Sequence, residues 1–316
     1  MTQALAHRCA RAIGGGSGSF TEDLHAAFTA IGIPAGQLQE RVNAATGLTG
    51  GAAWNAMLSW KLGTIGSQAK TIADLFGASG HIYQAGVGTV SGLTVGNFSD
   101  VAGLAPAVAD GPVARCNDAT TSGASNITQA IAGQQPTLRT AAGISWWEFT
   151  NASNTNLAFA SSPVSMASDH AVVISALTTT ASGTRTLFAT GGASTQRVAT
   201  LTLGPPVTAV WRDDAATTVT LSGPTPRLNS PFVFSARQRG QVRELRADGV
   251  LAAQNSSITL GTTTLTSATL GNLPSLIGAL QGNLYAAVII NGTVTDDQMV
   301  LLETFVANAA AAAMGL

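Results

Sequence analysis

From about Gly86 onward the chain is written in short runs of Thr, Val, Ser, Ala and Gly with apolar and polar residues in alternation, broken repeatedly by turn dipeptides. That texture constrains the fold more than any other feature, because strict alternation buries one face of a strand and leaves the other wet. Runs of this kind fall at 171–177, 186–190, 198–203, 207–211, 217–221, 232–236, 242–247, 257–260 and 284–290. Ser182-Gly183, Gly191-Gly192, Gly204-Pro205-Pro206 and Asp248-Gly249 separate them. Thr and Val lose side-chain freedom in a helix and pack well on a pleated surface. Many short strands at regular spacing predict an antiparallel sandwich or jelly roll.

The segment before this region obeys a different period. Between Phe20 and Phe76 apolar residues recur at three and four: Leu24, Phe28 and Ile31, then Trp54, Met57, Leu58 and Leu62, then Ile65, Ile72, Leu75 and Phe76. This is the pattern of short amphipathic helices, interrupted by Pro34 and by Gly47, Gly50 and Gly51. At the other end, Thr295-Asp296-Asp297-Gln298 fits a capping box ahead of a stripe of Met299, Leu302, Phe305 and Val306. The division expected is a helical region over 1–99 and a β domain over 100–316 closed by a C-terminal helix.

Charge removes several functions. Fifteen Lys and Arg balance 16 Asp and Glu for a net charge of −1, so no basic field is present to hold nucleic acid. No apolar run reaches the roughly 18 residues of a membrane-spanning helix, and the N-terminal stretch lacks the apolar core of a signal peptide. Cys9 and Cys116 form neither a metal spacing nor a disulfide framework. The four histidines, His7, His25, His81 and His170, are too dispersed for a local metal motif. No cofactor is implied. Asp213-Asp214, just after Trp211, offers hard oxygen ligands of the kind Ca²⁺ takes, but a polar hairpin turn accounts for the pair and no calcium motif surrounds it.

Three stretches in fixed order carry a resemblance. DVAGLAPAVADGPVAR at 100–115 is followed by QPTLR at 135–139, then by LRADG at 245–249, and last by Ile277-Gly278, QGNLY at 281–285 and Val294-Thr295-Asp296. Together they resemble the concanavalin A-like, or laminin G-like, jelly rolls of tailed-phage and phage-like virion proteins, over roughly residues 100–312. Gln135 stands where that family usually has Arg, and Arg246-Ala247 replaces its Tyr-Val. The resemblance implies a mainly β concanavalin A-like sandwich displayed on a particle surface as a fibre, spike or decoration. It implies attachment to other virion proteins through the N-terminal region, assembly as a homo-oligomer, and host surface polysaccharide as partner.

The residue types that could contact a glycan are few. Trp146-Trp147-Glu148 is the one place where a carboxylate adjoins stacking aromatics, and a strand with one Trp in the core is the plainest reading of it. Trp146, Glu148, Trp211, Asp213 and Asp214 are the candidate carbohydrate contacts. A polysaccharide-degrading enzyme is the alternative, with Glu148 or Glu244 and Asp169 or Asp213 as its carboxylate pair. It is the weaker reading, because a retaining glycosidase needs two carboxylates some 5–5.5 Å apart and residues 100–295 contain only Glu148 and Glu244 among glutamates, neither opening a glucanase motif. Asp169-His170 lacks a nucleophile elbow, and neighbours on a strand face opposite ways. A purely architectural virion protein, without glycan affinity, is the third reading.

Overall fold

The computed structural model describes residues 72–310, apart from 87, 91–92, 121–124, 142–143, 166, 181–182, 184, 192–199, 204–205, 213, 215–216, 257–260, 263 and 274–277. The helical pattern expected before residue 72, the strand expected at 257–260 and Asp213 lie outside the described residues. Residues 72–76 are helical, the last turn of that pattern.

The strands in chain order are β1 (Gly80–Gln84), β2 (Gly88–Val90), β3 (Leu93–Val95), β4 (Asn97–Phe98), β5 (Arg115–Cys116), β6 (Ile127–Thr128), β7 (Thr137–Ala141), β8 (Ile144–Phe149), β9 (Leu157–Phe159) and β10 (His170–Thr178). They continue as β11 (Arg185–Gly191), β12 (Thr200–Leu203), β13 (Thr208–Arg212), β14 (Thr218–Ser222), β15 (Phe232–Arg239), β16 (Val242–Ala247), β17 (Val250–Asn255), β18 (Ser267–Leu270) and β19 (Gly282–Ile290). A single long helix, α1 (Asp296–Ala310), follows.

Among the described residues these strands make two antiparallel sheets and a separate β2–β3 hairpin. The first sheet runs β17-β16-β15-β10-β19-β8-β7, with β1 also paired to β19. The second runs β14-β13-β12-β11-β18-β9-β6-β5-β4. The architecture is therefore the antiparallel β sandwich that the alternation predicts. Its start differs from the division at residue 99: β1 registers Gly80 to Ile290 and Gln84 to Ala286, and β4 registers Asn97 to Cys116. Residues 80–98 thus contribute strands to both sheets.

Two apolar layers explain the sequence of the central strands. One lies between the sheets and takes Val172, Ile174, Phe232, Phe234, Ala287 and Ile289 from the first sheet, with Phe159, Phe188 and Trp211 from the second. The other lies on the first sheet's outer face, where Val173, Val233, Val288 and Ile290 meet Met299, Leu302, Phe305 and Val306 of α1. Strands β10 and β19 are covered on both faces, so β10 is buried at all nine positions and Tyr285–Ile290 reads as an unbroken apolar run. By contrast β14, at the edge of the second sheet, alternates exposed Thr218, Thr220 and Ser222 with buried Val219 and Leu221.

Local signals set several joints. Asp248 (φ 46°) and Gly249 (φ 77°) form the two-residue loop joining β16 to β17, with Ala247 opposite Val250. Positive φ at both central residues is what a type I′ hairpin requires and what Asp-Gly supplies. The helix α1 begins on its capping box: the Thr295 backbone N–H donates to Gln298 Oε1 at 2.9 Å, and the Gln298 N–H to Thr295 Oγ1 at 3.2 Å.

A candidate glycan-contact face on the edge of the first sheet

Strand β8 sorts its side chains by alternation. Trp147 and Phe149 are fully buried between the sheets, while Trp146 and Glu148 point to the face that carries α1. Trp147 is fixed there by donating its indole N–H to Asn97 Oδ1 at 2.5 Å, and Asn97 in turn donates to the Gln84 and Gly86 carbonyls. Trp146 is half-buried at the border of the α1 layer, its ring 6.3 Å from that of Tyr285. The expected strand with one Trp in the core is what forms, and Trp147 is the buried one.

The neighbours of Trp146 and Glu148 follow from register. Arg139 of β7 lies opposite Trp146, and Glu148 lies between Thr137 of β7 and Asn283 of β19. Arg139 donates from Nε and Nη2 to Glu148 Oε2, both at 2.8 Å, and from Nη1 to Asp110 Oδ1 at 2.5 Å. The Arg139 and Glu148 side chains are each 38% exposed and Asp110 is 74% exposed, so this network faces water. Donating to the Asp110 and Glu148 carboxylates raises the Arg139 pKa and holds its guanidinium charged. The arrangement sets an aromatic ring beside a carboxylate–guanidinium–carboxylate row, which can meet an apolar sugar face and bind the hydroxyls around it. Arg139 and Asp110 have no aromatic beside them in sequence, and only the β7–β8 register brings them to Trp146.

The second cluster of candidates takes a different position. Trp211 belongs to β13 in the other sheet and is only 2% exposed, packed in the layer between the sheets. It presents no ring face to a ligand, because β13 alternates and Trp211 shares the inward side with Ala209. Asp214 is exposed, and its Oδ2 accepts from the Thr262 N–H at 2.6 Å and from Thr262 Oγ1 at 2.9 Å. That carboxylate ties one loop to another. Among the described residues, no group of three His, Cys, Asp or Glu side chains is placed to hold a metal ion, and no helix is long and apolar enough to cross a membrane.

The carboxylates considered for hydrolysis are committed elsewhere. Glu244 is buried beneath α1, where Arg237 Nε donates to its Oε2 at 2.7 Å. Asp169 accepts from the Gly240 N–H at 2.6 Å and from Thr293 Oγ1 at 2.7 Å. Its neighbour His170 turns into the sandwich and is fully buried, with Nδ1 3.0 Å from the Ser168 carbonyl. Asp169 and His170 therefore make no relay, as their adjacency on a strand predicts.

No protein-family model and no curated protein matches the sequence. Solved structures do resemble parts of the chain. The CBM40 domain of the Ruminococcus gnavus IT-sialidase, bound to α2,3-sialyllactose, overlaps 42% of this chain and 81% of its own, at 18% identity and a TM-score of 0.38. The binding domain of botulinum neurotoxin serotype G overlaps 59% of this chain and 48% of its own, at 12% identity and a TM-score of 0.44. The NanB sialidase of Streptococcus pneumoniae overlaps 44% of this chain and 24% of its own, at 13% identity and a TM-score of 0.38.

Proposed function

We propose that the chain is a structural component of a tailed-phage or phage-like particle, whose β sandwich is displayed outward and binds polysaccharide on the host surface. The observation that carries the glycan reading is the half-buried Trp146 ring set beside the water-facing Asp110–Arg139–Glu148 row on one face of β7 and β8. The virion reading rests on the order of the motifs at 100–115, 135–139, 245–249 and 277–296, and on the helix that closes them. The N-terminal region expected over residues 1–99, less the strands within 80–98 that the sandwich takes, is the segment we assign to attachment and subunit assembly. The role is binding rather than hydrolysis: Arg139 bridges Glu148 and Asp110, and Glu244 lies under α1, so neither glutamate between residues 100 and 295 stands free in an open groove.

The test uses the full chain on an array of bacterial capsular and lipopolysaccharide glycans, with free polysaccharide as competitor. Saturable, competed binding that is lost in Trp146→Ala and Glu148→Gln is the expected result. A folded chain that binds nothing on the array, or whose binding survives Trp146→Ala, overturns the reading. Shortening of the bound polysaccharide, followed by size-exclusion chromatography in the same samples, would establish an enzyme instead.

A further inference from the structure

Between Asp100 and Asp110 the chain reads Val-Ala-Gly-Leu-Ala-Pro-Ala-Val-Ala, nine residues without one polar side chain. Hydrophobic burial would place such a segment in the core, yet this one connects β4 to β5 over the surface. Seven of its nine residues are exposed, Gly103 is half-buried and Ala107 is buried. Val101, Leu104 and Val108 are 42%, 84% and 67% exposed. A contiguous apolar patch left in water marks a contact surface.

Hydrogen bonds hold the segment in one shape. The Leu104 N–H donates to both Asp100 carboxylate oxygens, at 3.2 and 3.1 Å, and the Ala105 N–H donates to Oδ2 at 2.5 Å. Arg115 donates from Nη1 to the Ala102 carbonyl at 3.0 Å. Gly103 (φ 77°) leaves room for that guanidinium, since a Cβ there would lie 3.0 Å from Arg115 Cζ. Phe98 of β4 and Pro106 form an antiparallel bridge, with the Ser99 N–H donating to the Ala105 carbonyl at 2.9 Å and the Ala107 N–H to the Asn97 carbonyl at 2.8 Å. At the far end the Gly111 N–H donates to the Val108 carbonyl at 2.9 Å and the Asp110 N–H to the Leu138 carbonyl at 2.7 Å. A surface ordered in advance loses little conformational freedom on binding.

The same bonds decide what kind of partner fits. Ala105 and Ala107 turn their bonding backbone groups toward β4, so the outward amide position of this edge falls to Pro106, which has no N–H. Proline at that position opposes the addition of a strand and leaves contact to the side chains. An anionic lipid surface is opposed by Asp100 and Asp110 at the two ends, while Arg115 and Arg139 are turned to the Ala102 carbonyl and to Asp110. An uncharged protein surface fits, and the segment is itself one. At a net charge of −1, two copies approach without strong repulsion. Seven exposed residues of these sizes offer about 500 Å² per copy, so a two-fold pairing covers about 1,000 Å², the lower bound of a specific interface.

We propose that residues 101–109 form an isologous contact between two copies of this chain, with Leu104 and Pro106 of each packed against the other across a two-fold axis. The contact uses no residue of the Trp146 face and does not rest on the glycan reading. An interface of this size is weak, so pairing is expected at about 100 μM and lost at about 1 μM. Sedimentation velocity of the full chain at both concentrations tests it, beside Leu104→Glu, which keeps the backbone N–H that Asp100 accepts. The natural chain is expected to double in mass at the higher concentration, and Leu104→Glu, folded by circular dichroism but weakened at least tenfold in pairing by a charge set in the contact, is not. Oxidative cross-linking then locates the contact: Leu104→Cys links to its own copy, whereas Val250→Cys, 65% exposed on β17 at the far edge of the first sheet, does not. Cys9 and the buried Cys116 are common to both variants. A mass that does not rise with concentration, a rise that survives in Leu104→Glu, or a link no stronger at Leu104→Cys than at Val250→Cys overturns the proposal. Pairing made by the N-terminal region gives the second of these results.

Discussion

The indole nitrogen of Trp211 donates to Nε2 of His170 at 3.3 Å, a hydrogen bond that crosses from β13 in one sheet to β10 in the other. The bond requires His170 to be neutral at Nε2, with its Nδ1–H turned to the Ser168 carbonyl. Burial enforces that state by lowering the His170 pKa to about 4, helped by the nearby Arg243 charge and opposed by the Ser168 carbonyl and Asp169.

Stability should therefore fall with acid well before the carboxylates titrate. In the unfolded chain a histidine takes up a proton near pH 6.5, whereas folded His170 does so only near pH 4. The unfolded state binds the extra proton between those values, so stability is complete above about pH 6.5 and is lost as pH drops towards 4. A shift of this size is worth about 3 kcal/mol at the acid end of the window. Urea midpoints measured from pH 7.5 to 4.5 should decline for the natural chain and much less for His170→Gln. A midpoint that stays level across that range rules out the linkage.

The adjacent tryptophans of β8 should respond in opposite ways. Trp147→Phe removes the donor to Asn97 Oδ1 inside the sandwich and is expected to cost about 1–3 kcal/mol, chiefly from the acceptor left unpaired. Trp146 is half-buried with its neighbours Arg139 and Glu148 facing water, so Trp146→Ala should remove glycan binding while Trp147→Phe leaves it intact. Equilibrium denaturation and the glycan array, run on the same two variants, separate the roles. Binding lost in Trp147→Phe and retained in Trp146→Ala would reverse the assignment.

Much of this arrangement is written in the chain, and the rest depends on pairing. The runs expected at 171–177, 186–190, 207–211, 217–221 and 242–247 match β10, β11, β13, β14 and β16 within a residue or two, because alternation and turn dipeptides are local signals. Strand β17, Val-Leu-Ala-Ala-Gln-Asn, carries little β propensity and exists because the Asp248-Gly249 hairpin lays it along β16. Strand β1 follows a helical pattern directly, and β19, some 200 residues away, gives it a partner. Trp211 could not be assigned a face from its own segment, since a one-residue change in register turns it from solvent to core. The 2.7 Å contact between His81 Nδ1 and Asp118 Oδ2 links β1 to the loop after β5 across 37 residues, so no spacing rule finds it.

A third prediction concerns the charged row beneath α1. Glu303 is 2% exposed and accepts from Ser235 Oγ at 2.6 Å and from Arg246 Nε at 2.8 Å. Removing one partner of such a pair strands the other charge, so Glu303→Ala should destabilise the chain by about 3–5 kcal/mol. Replacing both ends, as Glu303→Met with Arg246→Met, should recover much of that loss because the surrounding layer is apolar. Thermal melts of the single and double variants decide the matter. A double variant no more stable than Glu303→Ala would show that packing around the site, and not the unpaired charge, sets the loss.

The start of α1 gives the last prediction, and its acid dependence falls in a different window from that of His170. Thr295→Ala removes the Oγ1 acceptor of the capping box and should cost about 1 kcal/mol, while Thr295→Ser keeps it. The next residue, Asp296, accepts from Arg237 Nη2 at 2.6 Å, and that guanidinium holds its carboxyl below the usual range against a smaller opposing effect of burial. A carboxylate with a depressed pKa stabilises the fold above its unfolded value, near pH 3.9, and loses that contribution as pH falls further. The Asp296 side chain is 72% exposed, so the effect is screened and should shrink as salt is added. Asp296→Asn should therefore flatten the stability curve below pH 4 and leave the decline between pH 6.5 and 4 intact, whereas His170→Gln should do the reverse. If Asp296→Asn instead removed the decline above pH 4, the acid sensitivity of this sandwich would originate under the helix and not at the bond between its two sheets.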